Sequence, residues 1–160
     1  MTIIFGIDPG SAYTGFGVIK KTGAQLVHID SGRIVAGISG KVAFAKRLVK
    51  IDADLRALFA LHKPDVVAIE QVFSQINVAS ALKLGQARGV ILLVCEQQVS
   101  GRIFEFSPRS VKKAITGYGA ATKSQMQYMV RQVLGVKSTI SEDAADALAI
   151  AILCASHMRT

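Results

Sequence analysis

The order of strand-like and helix-like segments is the feature that most constrains how this chain folds. Three apolar segments, at residues 2–7, 14–20 and 25–35, have strand composition and are separated by the turn residues Asp8-Pro9-Gly10 and Thr22-Gly23. Strands joined by such short connections pair in antiparallel fashion, because a parallel pair needs a crossover of about a dozen residues. We therefore predict an antiparallel meander of three strands.

The rest of the chain alternates between helical and strand patterns. Apolar spacing and capping residues predict five helices, at residues 42–61, 79–98, 108–116, 122–134 and 142–156. Apolar segments at 65–70 and 102–107 are predicted strands, which crossovers through helices make parallel. We predict an α/β fold with a five-stranded mixed sheet, three antiparallel strands followed by parallel crossovers, and helices on both faces. The 160 residues suit one domain over 1–160, since domains span roughly 100–200 residues.

Composition excludes several classes of protein. Hydrophobic residues make up 51% of the chain and charged residues 19%, which excludes a disordered chain. The longest apolar runs, 90–95 and 147–155, are shorter than the roughly 20 residues of a membrane span, and residues 1–6 lack a basic leader. Cys95 and Cys154 lack metal-ligand spacing and are predicted to be buried. We expect a cytoplasmic protein with no membrane partner.

The net charge points to an anionic partner. The chain has 19 Lys and Arg against 11 Asp and Glu, a formal charge of +8. From Phe106 to Ser141 there is no acidic residue, and the basic residues of this segment are Arg109, Lys112, Lys113, Lys123, Arg131 and Lys137. Nucleic acid is the expected partner, and a solvated basic face without a specific ligand is the alternative.

Four acidic residues lie at the ends of buried elements. Asp8 ends the first strand, Glu70 ends the fourth, and Asp143 and Asp146 share one face of the last helix. If the first and fourth strands are parallel neighbours, Asp8 and Glu70 emerge at the same carboxyl edge, where open α/β sheets bind ligands. Carboxylates in such places are costly unless a cation compensates them. The four residues are therefore predicted to meet in one site.

The chemistry of these four side chains favours a hard divalent cation. Oxygen ligands without Cys or His suit Mg²⁺ or Mn²⁺, and two such ions about 3.5–4 Å apart serve in-line phosphoryl displacement. Each residue alone also has a structural interpretation: Asp8 as a turn residue, Glu70 as a strand-end charge, Asp143 as a helix N-terminal charge. Their joint placement in a basic chain favours the metal site.

Several sequence motifs resemble one known family. They are GIDPG at 6–10, AIEQVF at 68–73, SALKLGQARG at 80–89 and DAADALAIA at 143–151, with VKKAITGYG at 111–119 and KSQ at 123–125 as weaker matches. In this order, they resemble the RuvC-type Holliday-junction resolvases of the RNase H-like superfamily. GIDPG alone is not specific, because actin-like ATPases have a similar opening.

This resemblance implies a function and a set of site residues. It implies an endodeoxyribonuclease that resolves four-way DNA junctions by paired symmetric nicks, leaving 5′-phosphate and 3′-hydroxyl ends, in recombination and repair. It implies a homodimer that works with the RuvA–RuvB branch-migration complex and uses Mg²⁺, two ions per subunit, with Mn²⁺ as a substitute. The residues that match the family's catalytic, metal-binding tetrad are Asp8, Glu70, Asp143 and Asp146. Lys123 matches a lysine near the scissile phosphate, and Lys112 matches one near the DNA backbone. Phe73 matches an aromatic residue that stacks on bases.

Some of these residues have an alternative interpretation from the sequence alone. Phe73 is either an exposed stacking aromatic or a residue covered by the following loop. Lys112 and Lys123, like the DNA-binding candidates Arg109 and Lys113, are either phosphate contacts or solvated helix residues. The apolar helix at 79–98, with Gly85 and Gly89 four apart, predicts a two-fold interface or an ordinary central helix.

Three other functions are compatible with parts of the sequence. An actin-like nucleotide hydrolase would use GIDPG and residues 11–15 as a phosphate loop, but it needs a second lobe that 160 residues do not provide. A non-catalytic junction-binding module would keep the basic surface and ignore metal. A broader RNase H-like nuclease would act on RNA–DNA hybrids or replication intermediates.

Overall fold

The computed structural model describes residues 1–38, 40–71 and 77–158. Its strands form one sheet in the order β3-β2-β1-β4-β5. The strands are β1 (Thr2–Asp8), β2 (Tyr13–Thr22), β3 (Gln25–Val35), β4 (Val66–Glu70) and β5 (Ile103–Phe106). β1 is antiparallel to β2, and β2 to β3, whereas β4 is parallel to both β1 and β5. The predicted mixed sheet is therefore confirmed.

The five predicted helices are all present. They are α1 (Phe44–His62), α2 (Val78–Val99), α3 (Pro108–Thr116), α4 (Lys123–Leu134) and α5 (Glu142–His157). Most predicted boundaries differ from these by one or two residues. One difference matters for the site: β1 continues through Asp8, because the ladder with β2 extends to the pair Asp8–Gly15. The sequence predicted Asp8 at the junction of this strand and the following turn, and the ladder places it within the strand.

Helices cover both faces of the sheet, as predicted. One core cluster joins the sheet to α3, α4 and α5, through residues such as Val111, Val130 and Leu148. The other joins it to α1 and α2, through residues such as Leu55 and Ile91. Neighbouring strand residues alternate between the two clusters because successive side chains point to opposite faces. Cys95 and Cys154 are free and buried, one in each cluster, as expected.

Helix α5 lies directly on the backbone of β1 and β2. A Cβ atom added to Gly6 would lie 2.1 Å from the carbonyl oxygen of Ala147, and one added to Gly15 would lie 2.2 Å from that of Asp143. At Gly17 an added Cβ would meet Leu148 at 2.7 Å. These three glycines, which we call the glycine track, let the helix approach closer than any side chain would allow.

Helix α2 leaves a large part of its apolar surface exposed. Ala87, Ile91 and Cys95 pack in the core, whereas Leu82 and Leu93 are more than half exposed. In the described part of the chain it is the one helix long and apolar enough to cross a membrane, on length and composition alone. The uninterrupted apolar run within this helix, residues 90–95, is too short to predict a span, because polar residues interrupt the rest of the helix.

The substitution Gly6→Ala tests the glycine track. We expect it to lower the free energy of unfolding by about 1–3 kcal/mol, because the new methyl group meets backbone atoms that cannot move aside independently. Urea denaturation measures this loss. Gly32→Ala on β3 is the control, since its Cβ would meet only the Phe16 ring, at 3.0 Å, and a smaller loss is expected. Equal stability of Gly6→Ala and the unchanged protein would contradict the role given to the track.

Candidate active site

Asp8 and Glu70 lie at the same edge of the sheet and point to the same face. β1 and β4 are parallel in a register that pairs Ile7 with Ile69, so the two acidic residues follow as neighbours. Side chains two residues apart share a face. Ile4 and Val66, which precede Asp8 and Glu70 by four residues, pack in the cluster beneath α3, α4 and α5. Both carboxylates therefore face that helical layer.

The first turn of α5 brings two more carboxylates to this edge. Ser141 caps the helix by accepting a hydrogen bond from the amide of Ala144. The backbone of Asp143 lies over Gly15, the β2 partner of Asp8. Asp146 lies one turn further along the helix. The structure thus brings all four predicted acidic residues to one end of the sheet.

Burial and mutual repulsion strongly perturb this acidic group. Burial first, and then the charges of Glu70, Asp146 and Asp143, raise the pKa of Asp8 from its ordinary 3.8 to about 8. Burial and the charge of Asp146 raise the pKa of Glu70 from 4.5 to about 7. Burial also raises the pKa of Asp146, against the lowering effect of Lys123. The site has more negative charge than its neighbouring cations offset.

The donor chemistry of this group suits a hard divalent cation. All four candidate ligands are carboxylates, and a divalent cation would supply the positive charge that the raised pKa values show to be lacking. Within residues 1–38, 40–71 and 77–158, no three His, Cys, Asp or Glu side chains are close enough to form a ready-made metal cage. The residues thus fit Mg²⁺ or Mn²⁺ by their donor chemistry, although they do not form a preformed cage.

Two lysines border the acidic group on the side of α3 and α4. Lys112 and Lys123 line a pocket of about 200 Å³ together with Glu70 and Asp146. Lys123 donates a hydrogen bond from Nζ to Glu142 Oε2 at 2.8 Å, and this bond is the main cause that raises the lysine's pKa. Both lysines therefore lie beside the carboxylates of Glu70 and Asp146.

The other predicted DNA-binding residues lie apart from this pocket or outside the described residues. Arg109 and Lys113 line a separate cavity of about 610 Å³, with Ser107, Ser110 and Tyr118. They lie on the same helix as Lys112 but line a different cavity. Phe73 falls within residues 72–76, which lie outside the part that the structure describes.

The turn after Asp8 is held by side chains. Thr14 is fully buried and donates its hydroxyl to the carbonyl oxygen of Gly10 at 2.8 Å. Arg47, on α1, is 2% exposed and donates from Nε to the carbonyl oxygen of Ser11 at 2.8 Å. In an actin-like phosphate loop the Thr14 hydroxyl would be free to donate to a nucleotide phosphate, whereas here it donates to Gly10. These hydrogen bonds close the turn that follows Asp8.

Sequence reasoning missed two neighbours of the acidic residues. Glu142 is the hydrogen-bond partner of Lys123, and Arg33 of β3 lies 3.6 Å from Asp143, measured from Nη1 to Oδ2. The position of Glu142 next to Asp143, at the start of the predicted helix, was a usable signal. Arg33 had none, because its contact depends on the register of β3 with β2.

The fold and the acidic edge define an RNase H-like nuclease: a mixed sheet with carboxylates at the ends of two central parallel strands and on a helix across them. The family model described as "Crossover junction endodeoxyribonuclease RuvC" matches residues 4–154. The chain belongs to the RuvC family, and the resemblance found in its motifs is confirmed. The family is one of metal-dependent nucleases.

Relatives match the chain over nearly its full length. A RuvC of Colwellia psychrerythraea is 48% identical over 161 residues, covering 100% of this chain and 90% of the relative. One from Legionella pneumophila is 46% identical, covering 99% and 89%. The solved structure of Thermus thermophilus RuvC in complex with Holliday junction substrate is 30% identical, with a TM-score of 0.85, covering 96% of this chain and 92% of that one.

The raised pKa values predict how stability depends on pH. Without metal, the free energy of unfolding should fall as pH rises from about 4 to about 8. The folded state keeps protons on Asp8 and Glu70 that the unfolded state has lost, so their contribution is complete below the ordinary pKa values and lost through the raised ones. Urea denaturation in EDTA across this range measures the slope. Asp8→Asn should flatten it, and identical slopes for the two proteins would contradict the assignment.

Proposed function

We propose that this chain resolves four-way DNA junctions by a pair of symmetric nicks, with Asp8, Glu70, Asp143 and Asp146 as its catalytic and metal-binding residues. The observation that carries the proposal is the partly buried, mutually repelling group of four carboxylates at one edge of the sheet. The relative from Thermus thermophilus, solved with a Holliday junction substrate, supports the choice of DNA. The products would carry 5′-phosphate and 3′-hydroxyl ends.

Divalent cations complete the proposed chemistry. Mg²⁺, two ions per subunit with Mn²⁺ as a substitute, would activate the attacking water and neutralise charge on the leaving oxygen. The four carboxylates, each of them partly buried, would hold these ions. A carboxylate that is protonated cannot bind metal, so loading would release the protons that the raised pKa values retain near neutral pH.

The lysines bind and stabilise the phosphate group. Lys123 and Lys112 lie beside Glu70 and Asp146 in one pocket, where a phosphate at the carboxylates would be within their electrostatic reach. Lys123 would stabilise the negative charge that develops at phosphorus. Its exposed pair with Glu142 is weak enough to exchange for a phosphate.

Symmetric nicking requires two sites related by a two-fold axis, and α2 provides the surface we propose for the homodimer. Four exposed residues lie three or four positions apart along this helix: Leu82, Gly85, Gly89 and Leu93. Among the described residues, a Cβ at either glycine would meet no atom within 4 Å apart from the adjacent backbone of α2, so a partner helix could approach there. The proposed dimer contact would explain why this apolar helix is exposed in the single chain.

The proposed substrate indicates where the protein acts and with which partner complex. We propose that the protein acts on chromosomal DNA in the cytoplasm, after the RuvA–RuvB complex has moved the junction into position. The basic segment that contains Arg109 and Lys113 would bind the DNA arms beyond the cleavage point. Phe73 would stack on a base near the crossover.

Comparing substrates tests the proposal most directly. In Mg²⁺ the protein should cleave a four-way junction in preference to a linear duplex of the same sequence and to an RNA–DNA hybrid. A general RNase H-like nuclease would cut the hybrid at least as fast. A non-catalytic binding module would bind the junction and cleave none of the three.

Asp146→Asn tests the acidic residues. We expect cleavage to fall by more than about a hundredfold, because a proposed metal ligand is lost, while junction binding stays equal or becomes tighter as negative charge is removed. Single-turnover cleavage and fluorescence anisotropy measure the two effects. Asp52→Asn, on α1, which packs on the opposite face of the sheet, is the control. Cleavage by Asp146→Asn at the unchanged rate would remove it from the site.

Lys123→Ala tests the role in charge stabilisation. We expect cleavage to slow by about a hundredfold, the scale on which one charge-stabilising group acts, with a modest decrease in the salt dependence of binding. Lys137→Ala serves as the comparison, because it removes a lysine of the same basic segment that does not line the pocket with Asp146. An equal effect of the two substitutions on the cleavage rate would assign Lys123 to general DNA attraction.

A further inference from the structure

Strand β3 contributes a cation to the active-site edge. In the sheet register, Asp8 of β1 pairs with Gly15 of β2, and Gly15 pairs with Arg33 of β3. Residues paired across neighbouring strands share a face, so Asp8 and Arg33 flank the glycine on the side that α5 covers. The backbone of Asp143 fills the space over Gly15. Arg33 therefore lies at the far side of the acidic group from β4.

The side chain of Arg33 is oriented but not saturated. Its guanidinium lies 4.7 Å from the centre of the Tyr13 ring, a cation–π distance, and 3.6 Å from Asp143 Oδ2. That second distance is longer than a hydrogen bond, so this contact leaves the guanidinium donors available to another acceptor. The side chain is 50% exposed. A ligand at the edge of the sheet can reach it.

Cations thus border the carboxylates on two sides. Lys112 and Lys123 line the pocket with Glu70 and Asp146 on the side of α3 and α4, and Arg33 meets Asp143 on the side of β3. Without bound divalent cations, four carboxylates repel a DNA strand whose phosphate lies at them, and nearby positive side chains offset this repulsion. Positive side chains on both sides of the carboxylates can bind the DNA phosphates on either side of the one at the site.

We propose that Arg33 is a DNA-binding residue, which binds a phosphate of the cleaved strand from the β3 side, opposite Lys112 and Lys123. This rests on the proposed nuclease function. Arg33 binds phosphate and takes no part in the reaction itself. The Tyr13 ring holds its guanidinium beside the carboxylates. The competing role is a counter-ion that only neutralises Asp143.

The salt dependence of junction binding tests the proposal. In buffer without divalent cations, we expect Arg33→Ala to weaken binding and to decrease the slope of log K against log salt by about 0.9, the value for one lost phosphate contact. Arg102→Ala is the control: this exposed arginine precedes β5, at the edge of the sheet opposite the carboxylates, and should leave the slope unchanged. Fluorescence anisotropy at several salt concentrations gives each slope.

A second pair of variants separates the two roles. If Arg33 binds phosphate, Arg33→Ala should decrease the slope equally in the unchanged protein and in an Asp143→Asn background. If it only neutralises Asp143, the effect should disappear once that carboxylate is gone. An unchanged slope, or an effect confined to the protein with Asp143 intact, would overturn the proposal. Unfolding curves of each variant establish that the comparison is made between folded proteins.

Failure of this inference is distinguishable from failure of the proposed function. If the unchanged protein neither binds nor cleaves the four-way junction, the nuclease proposal fails, and the phosphate role of Arg33 fails with it. If the unchanged protein binds and cleaves while Arg33→Ala binds with the same slope, only the role of Arg33 is wrong. Arg33→Lys should keep the slope, since it preserves the charge, while losing the planar contact with Tyr13.

Discussion

The direct contact of α5 with the backbone of β1 and β2, at glycine positions, is the constraint on which the site depends. Gly6, Gly15 and Gly17 let the helix touch the sheet without intervening side chains, and its Ala-rich face allows the same approach from the other side. A contact between two backbones has little freedom to adjust, unlike one between flexible side chains. The first turn of the helix is therefore fixed relative to the end of β1. This rigidity brings Asp143 and Asp146 to Asp8 despite a separation of more than 130 residues in the chain.

The same geometry concentrates negative charge in an otherwise basic protein. Raised pKa values at Asp8 and Glu70 mean that the folded chain holds these carboxylates at an energetic disadvantage near neutral pH. A core chosen for stability alone would not bury such a group. If divalent cations bind there, they remove the repulsion between the carboxylates. The free energy that the folded protein loses to this repulsion is then regained as metal-binding free energy. The net charge of +8 then attracts the phosphate backbone to a small region where the carboxylates alone would repel it.

Most of the architecture could be predicted from local signals, and most of the site's details could not. Turn residues and apolar spacing marked all five strands and all five helices, since these signals act over a few residues. The four acidic residues were predicted because each lies near an end of a buried element, and the structure brings them to one end of the sheet. The glycine track, the Lys123–Glu142 pair and the contact of Arg33 with Asp143 depend on sheet register and helix packing, which no local pattern encodes. The exposure of α2 was anticipated only as one of two interpretations, because an apolar helix has the same composition in a core and in an interface.

The first turn of α5 links the carboxylates to the cations on both sides. Glu142 holds Lys123 and Asp143 attracts Arg33, so consecutive residues orient the two opposite positive groups. Both ion pairs are partly exposed, and exposed pairs contribute only about 0–1 kcal/mol, so a phosphate can replace either partner at little cost. A buried pair would orient the cations more firmly but would resist this exchange. In the proposed nuclease, these weak pairs and the perturbed acids Asp8 and Glu70 would be complementary: the cations would be oriented for DNA, and the acids would remain available for metal.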